Sequence, residues 1–391
     1  PGNVFPSDFP PLTSNLLSLI FRVFPAIDTT ILISGFIIFV LTTMLLFFTS
    51  KKLHSNSVAV VSVILFVFNM FFWQYARNFS TELIFSLLVI IFTYLYIVKA
   101  KIYFLAIPLI LLFLTRQQAP LFLVAIFLTE FLYTHRKKKY ILFGIVCLTL
   151  YLTLAKLFPT SPISPLHIVG SVNITTDKPQ GIYLRGTYFT ILTPKQVASK
   201  IFYNTYNFAK SPERIVHPLI LIFALYGLFT YYKHPIKGRF FTLTFVSLGL
   251  FVLGASATLP NARYIHPLLP LLVVAGSVGL SDIAKKISPI FTLLTILIII
   301  LPSLGYLTLD ARFRARQFNT NKPPVYKVIS DVMAENLPKD ELIITNLDAW
   351  AAWYHGLTTM WFPLTPDMLS PKVPKFIFIT NYLYQDADFA L

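Results

Sequence analysis

The run TTILISGFIIFVLTTMLLFF (29–48) holds no charged side chain, and PIFTLLTILIIILPSLGYL (289–307) holds none either. Each has the length, about 20 residues, that an α-helix needs to cross the ~30 Å hydrocarbon core of a bilayer. Backbone polar groups in lipid must be satisfied within the segment, so such a run is a helix or is not in the membrane at all. Apolar segments recur at roughly 28–49, 58–76, 80–98, 102–115, 118–134, 140–157, 216–232, 239–257, 262–281 and 289–309. Charged residues make up only 12% of the chain, against about 25% in soluble domains. The expected fold class is therefore mainly α: a polytopic helical membrane protein with about ten membrane segments, outer loops and a small α/β C-terminal tail. The single cysteine, Cys147, lies inside an apolar run. It supports neither a disulfide framework nor a cysteine metal cluster.

The net charge is +16, but its placement points to a membrane and not to nucleic acid. Basic residues concentrate in the short connections KKLH (51–54), KAK (99–101), HRKKK (135–139), KHPIKGR (233–239) and KK (285–286). The positive-inside rule puts such loops in the cytoplasm. All five fall on one side if 102–134 is a hairpin broken at TRQQAP (115–120). Residues 1–27, ARNFSTE (76–82), TRQQAP, the loop 158–215, TLPNAR (258–263) and the tail then face outside. The expected organisation is an outer loop and interfacial helix (1–27), membrane helices (28–157), a long outer loop (158–215), membrane helices (216–309) and an outer α/β tail (310–391).

Several outer segments have readable local structure. From Leu12, apolar residues recur at helical spacing with Ser and Arg between them, which predicts a helix lying on the membrane surface. TPKQVASKIFYNTYNFAKSPER (193–214) predicts a short amphipathic helix. In the tail, PPVYKVISDVMAENL predicts a helix, and ELIITN, TTMWF and KFIFIT predict strands, with DAWAAWYHG between the first two.

Polar residues on the outer face are the site candidates. Arg77 and Glu82 flank one turn; a solvated turn or mutual salt bridge is the plain reading, a carboxylate entering a cavity the functional one. Arg116 sits inside a long apolar stretch, where it either snorkels or binds an anion through its planar guanidinium. Arg263, Tyr264 and His266 follow Pro260, as interface anchors or as ligands. Asp8 is the one carboxylate ahead of the first span. The sequons NFS (78–80) and NIT (173–175) match by pattern only. No P-loop, HExxH, GxSxG or CxxC appears. The spans hold few carboxylates, chiefly Glu130, which argues against an ion-coupled pump.

Taken in order, FPPL (9–12), RNFSTE (77–82), LTRQQAPLFL (114–123) and ARYIHPLLPLL (262–272), followed by an outer α/β tail, resemble the GT-C superfamily of membrane glycosyltransferases. The likeness is to the branch of protein O-mannosyltransferases and bacterial lipid A aminoarabinose transferases. It covers essentially the whole chain; R-Y-x-x-P-x-x-P at Arg263, Tyr264, Pro267 and Pro270 is its most characteristic element. The resemblance implies an inverting transfer of a sugar from a polyprenyl-phosphate carrier to a glycan, lipid or protein acceptor. The place would be the extracytoplasmic face of the plasma or inner membrane. It implies catalytic roles for Asp8 and Glu82 and substrate-binding roles for Arg77, Arg116, Arg263, Tyr264 and His266. In the family the first acid follows a first span and lies well before the Pro-Pro pair, whereas Asp8 adjoins Pro10 and Pro11. A span and an acidic loop upstream of Pro1 are therefore expected. No cofactor is required by the sequence, and no metal ligands can be read; carboxylate-bound Mg²⁺ or Mn²⁺ stays open because some relatives use a divalent ion. The alternatives are an O-antigen polymerase or ligase type of enzyme, and a transporter or flippase of lipid-linked sugars.

Overall fold

A computed structural model describes residues 12–133, 144–145, 149, 153, 171–173, 182–184, 187–189, 192–258, 260–309, 325–345, 348–360 and 375–378. The expected segment 140–157 and residue Asp8 fall largely or wholly outside these. The chain divides into two compact units. One holds Pro1–Pro162 and Ala198–Leu307, the other Ile163–Val197 and Thr308–Leu391.

The first unit is a helical bundle. Its elements are α1 (Leu12–Phe21), α2 (Asp28–Leu53), α3 (Asn56–Val67), α4 (Met70–Arg77), α5 (Thr81–Ile97), α6 (Ile102–Phe113) and α7 (Ala119–Tyr133). After the long loop come α8 (Pro194–Lys210), α9 (Pro218–Tyr231), α10 (Lys237–Ala257), α11 (Leu269–Ile287) and α12 (Pro289–Leu309). Among the described residues, three helices are long and apolar enough to cross a membrane: Asp28–Leu53, Lys237–Ala257 and His266–Ile287. The last is α11 with its preceding turn.

The apolar run 58–76 predicts one helix, and the structure breaks it. α3 and α4 meet at a bend of 64°. Asn69 supplies the reason: its side chain accepts from the Phe71 amide at 3.1 Å, an N-cap that restarts the helix. The carbonyl of Val67 freed at the break accepts from Trp73 Nε1 at 2.6 Å, as irregular backbone within a bundle requires. The Trp73 ring in turn packs on Phe36 and Phe39 of α2. α6 and α7 are short, with the chain breaking between Phe113 and Ala119, as the expected hairpin demands.

Close helix contact rests on glycine. A Cβ on Gly279 of α11 would lie 1.9 Å from the Phe223 carbonyl oxygen of α9, and one on Gly35 of α2 would lie 1.7 Å from that of Ala76. Without an apolar driving force between helices in lipid, such approach is what holds spans together. A polar tie joins the far ends of the same helices. Asp282 accepts from Tyr231 at 2.6 Å and bonds His54 Nε2 at 2.9 Å. Lys51, Lys52, Lys285 and Lys286 sit in the last turns at this end.

The second unit contains α13 (Val325–Asn336), β4 (Ile343–Thr345), α14 (Asp348–His355), β5 (Thr359–Met360) and β6 (Phe376–Phe378). Its three strands are parallel, in the order β5-β4-β6, with Ile343 opposite both Thr359 and Phe376. Met333, Ile343, Ala351 and Leu357 form its buried core. Gly356 ends α14 at φ +65°, the left-handed position that favours glycine after a helix. The unit also carries an antiparallel sheet of β1 (Ser171–Asn173), β2 (Ile182–Leu184) and β3 (Thr187–Phe189), in the order β1-β3-β2.

Candidate functional site

The helix ends opposite the lysine-rich end converge on Glu82. This residue opens α5 within a turn set by Phe79, whose φ of 47° is left-handed and whose ring is buried. Glu82 is fully buried. Its Oε1 receives Arg116 Nη1 at 2.7 Å and Arg263 Nε at 2.7 Å, and its Oε2 accepts from Thr81 Oγ1 at 3.3 Å. Residues from α5, from the α6–α7 turn and from the turn before α11 are thereby joined in one charged cluster. A buried carboxylate is tolerated only when paired and hydrogen-bonded, and two guanidiniums meet that requirement here.

The two arginines differ in what remains open. Arg116 is 7% exposed. Its Nε donates to Gln118 at 2.8 Å, Nη1 also reaches Thr81 Oγ1 at 3.3 Å, and its guanidinium carbon lies 5.3 Å from the Tyr264 ring centroid. Its donors are largely committed to protein. Arg263 has a side chain 51% exposed. Burial of Arg263 works against its charge, but the Glu82 carboxylate outweighs that and raises its proton affinity. Asn261 holds the turn by accepting from the Arg263 amide at 3.0 Å.

His266 is enclosed. Its Nε2 faces the carbonyl oxygen of Arg214 at 2.8 Å, and its Nδ1 pairs with the Tyr75 hydroxyl. A carbonyl only accepts, so Nε2 carries the proton and Nδ1 accepts from Tyr75, which makes the ring neutral and both nitrogens satisfied. Phe71 stacks on it at 4.1 Å between centroids. This is a tie between segments, not a free acid or base.

A cavity of about 800 Å³ opens beside the cluster. Glu82, Arg263 and His266 line it, with Gln74, Tyr75, Asn78, Phe208, Glu213, Arg214 and Asn261. Of the sequence-derived candidates, Glu82, Arg116, Arg263, Tyr264 and His266 are brought together. Arg77 is half-buried at the end of α4 and is not part of the cavity lining. Asp8 lies outside the described residues. The described chain nonetheless starts close by: the Leu12 amide donates to the Leu114 carbonyl at 2.8 Å, two residues from Arg116.

Tyr75, Asn261, Glu213 and Arg214 were not singled out by sequence. The signal for the last two is faint: a charged pair in SPERIVHP, just before an apolar helix. Among the described residues no group of three His, Cys, Asp or Glu gathers. Glu82 Oε1 already carries two guanidinium contacts.

Comparisons with known proteins bear on the fold. A family model described as dolichyl-phosphate-mannose-protein mannosyltransferase matches residues 8–162. No curated protein sequence matches significantly. Among solved structures, ArnT from Cupriavidus metallidurans bound to undecaprenyl phosphate superposes with a TM-score of 0.59 at 12% identity, over 95% of this chain and 79% of that one. The archaeal oligosaccharyltransferase AglB from Archaeoglobus fulgidus, in complex with an inhibitory peptide and a dolichol-phosphate, superposes with a TM-score of 0.54 at 12% identity, over 91% of this chain. The present chain spans 56% of the AglB length.

Proposed function

We propose that this chain, which has the fold of the GT-C membrane glycosyltransferases, transfers a sugar from a polyprenyl-phosphate carrier to an acceptor hydroxyl at the extracytoplasmic face of the membrane. The observation that carries the reading is the charge of the cluster. Glu82 neutralises one of its two arginines and leaves one positive charge beside the cavity. A polyprenyl-phosphate sugar is a phosphodiester with one negative charge, so donor and cluster match. The bound lipids of the two structural neighbours, undecaprenyl phosphate in one and dolichol-phosphate in the other, support the same donor class.

Arg263 is the phosphate ligand in this reading. Its Nε is engaged by Glu82, which holds the guanidinium plane and leaves the Nη groups for phosphate oxygens. Arg116 serves from behind, fixing Glu82. The acceptor oxygen attacks the anomeric carbon, the bond from that carbon to the phosphate oxygen breaks, and the electron pair leaves on the lipid phosphate. Negative charge grows there, and a fixed cation in a dry site stabilises it. One displacement inverts the anomeric centre. The acceptor proton passes to a carboxylate, and Asp8 takes that role here.

The test is sugar transfer in nanodiscs from a panel of radiolabelled polyprenyl-phosphate hexoses and pentoses to membrane acceptors. Arg263→Ala is expected to lose about 100-fold or more in kcat/KM, the scale of removing one transition-state donor. Wild-type rates in that variant would remove Arg263 from the site. Failure of every donor, together with no binding of the bare lipid phosphate, would remove the donor class.

A further inference from the structure

The cavity holds charged groups that the phosphate does not use. Glu213 and Arg214 lie on a 3₁₀ turn, Pro212–Arg214, between α8 and α9. Both are exposed and both line the cavity. Neither side chain has an ion-pair or hydrogen-bond partner among the described residues. Asn78, from the α4–α5 turn, lines the same space and is also exposed.

The turn that carries Glu213 is not independent of Arg263. His266 sits three residues after Arg263, and its Nε2 donates to the Arg214 carbonyl. Tyr75 fixes the other ring nitrogen and Phe71 stacks on the ring face. One buried imidazole therefore clamps the backbone bearing Glu213 to the backbone bearing Arg263. Placement of these two charges in one cavity is built into the fold by a bond between His266 and the Arg214 carbonyl, 52 residues apart.

We propose that Glu213 is a specificity-determining ligand for hydroxyl groups of the sugar on the lipid-linked donor, and that His266 is the residue that positions it. A carboxylate with both oxygens open accepts from two vicinal hydroxyls at once. Asn78, which lines the same cavity, offers a donor and an acceptor. Arg214, next in sequence, offsets the Glu213 charge, so this part of the cavity is neutral overall and suits an uncharged polyhydroxy sugar over a cationic amino sugar. Phosphate and sugar then divide the cavity, the first on Arg263 and the second on Glu213. The inference rests on the donor class proposed above.

Equilibrium binding separates the two ideas without any turnover. Full-length protein in nanodiscs is titrated with polyprenyl phosphate, and with the same lipid bearing glucose, galactose, mannose or arabinose. Wild type is expected to bind at least one sugar-bearing lipid more tightly than the bare lipid. Glu213→Gln is expected to erase that increment, about ten- to a hundredfold for hydrogen bonds to a charged group, and to leave bare-lipid binding unchanged. Arg263→Ala is expected to weaken both. His266→Phe keeps the stack on Phe71 but has no donor; it is expected to lose the increment too, while His266→Gln restores part of it at matched thermal stability. An increment that survives Glu213→Gln, or none in wild type with any sugar, overturns the role of Glu213 while Arg263-dependent lipid binding stands. Loss of bare-lipid binding in wild type overturns the donor class and this inference with it.

Discussion

Glu82 and Arg263 form one ion pair, yet their removal has different consequences. Glu82 is fully buried between two guanidiniums. Glu82→Gln leaves both cations without their counter-charge, and Arg116 is buried as well. Breaking a buried pair this way costs about 3–5 kcal/mol, so Glu82→Gln is expected to lower Tm in detergent along with activity. Arg263→Ala removes a half-exposed group and leaves the Glu82–Arg116 pair intact. Its Tm is expected to fall far less while lipid-phosphate binding is lost. Equal Tm losses in the two variants would contradict this division of labour.

At the scale of elements, length and apolar content made most of the bundle legible. The runs at 80–98, 216–232 and 239–257 became α5, α9 and α10 within a few residues. The break between α3 and α4 was not legible, because 58–76 is apolar apart from Ser62, Asn69 and Gln74, and only the Asn69 cap marks the restart. The site was half legible. Charge placement in loops gathers Glu82, Arg116 and Arg263 on one face, since it depends on sequence alone. Tyr75 and the Arg214 carbonyl join through His266 across 191 and 52 residues, and no local pattern encodes such pairings. Helix contacts at glycine were equally hidden, and they carry a clear expectation. Gly279→Val would press a branched side chain into the Phe223 carbonyl, where even one Cβ is 1.9 Å away. Overpacking of this kind costs typically ~1–3 kcal/mol and more where backbone must move. Reduced Tm and a broadened gel-filtration peak are expected for Gly279→Val. A substitution at Gly249 or Gly305, where nothing lies within 4 Å of an added Cβ, should leave both unchanged.

For the whole molecule, the ends of the helices sort charge by sign and chemistry. One end carries the arginine–glutamate cluster and its cavity, and the other carries the lysine-rich turns with the His54–Asp282–Tyr231 tie. The positive-inside rule assigns the lysine end to the cytoplasm, which would place the cavity where a lipid-linked donor already faces outward. Helix α11 connects the two ends: Asn261 precedes it at the cavity, and Lys286 lies in its last turn. Both are exposed. Cys147 is the only cysteine, so Cys147→Ser provides a background on which Asn261→Cys and Lys286→Cys are each the sole thiol. In intact cells a membrane-impermeant maleimide is expected to label Asn261→Cys, and polyprenyl phosphate should slow that labelling by occupying the cavity. Lys286→Cys is expected to react only after permeabilisation. The opposite pattern would put the cavity on the cytoplasmic side and undo the extracytoplasmic assignment. The charge match between the Glu82 cluster and a phosphodiester would survive, because it depends on which side chains meet and not on which side of the bilayer they meet.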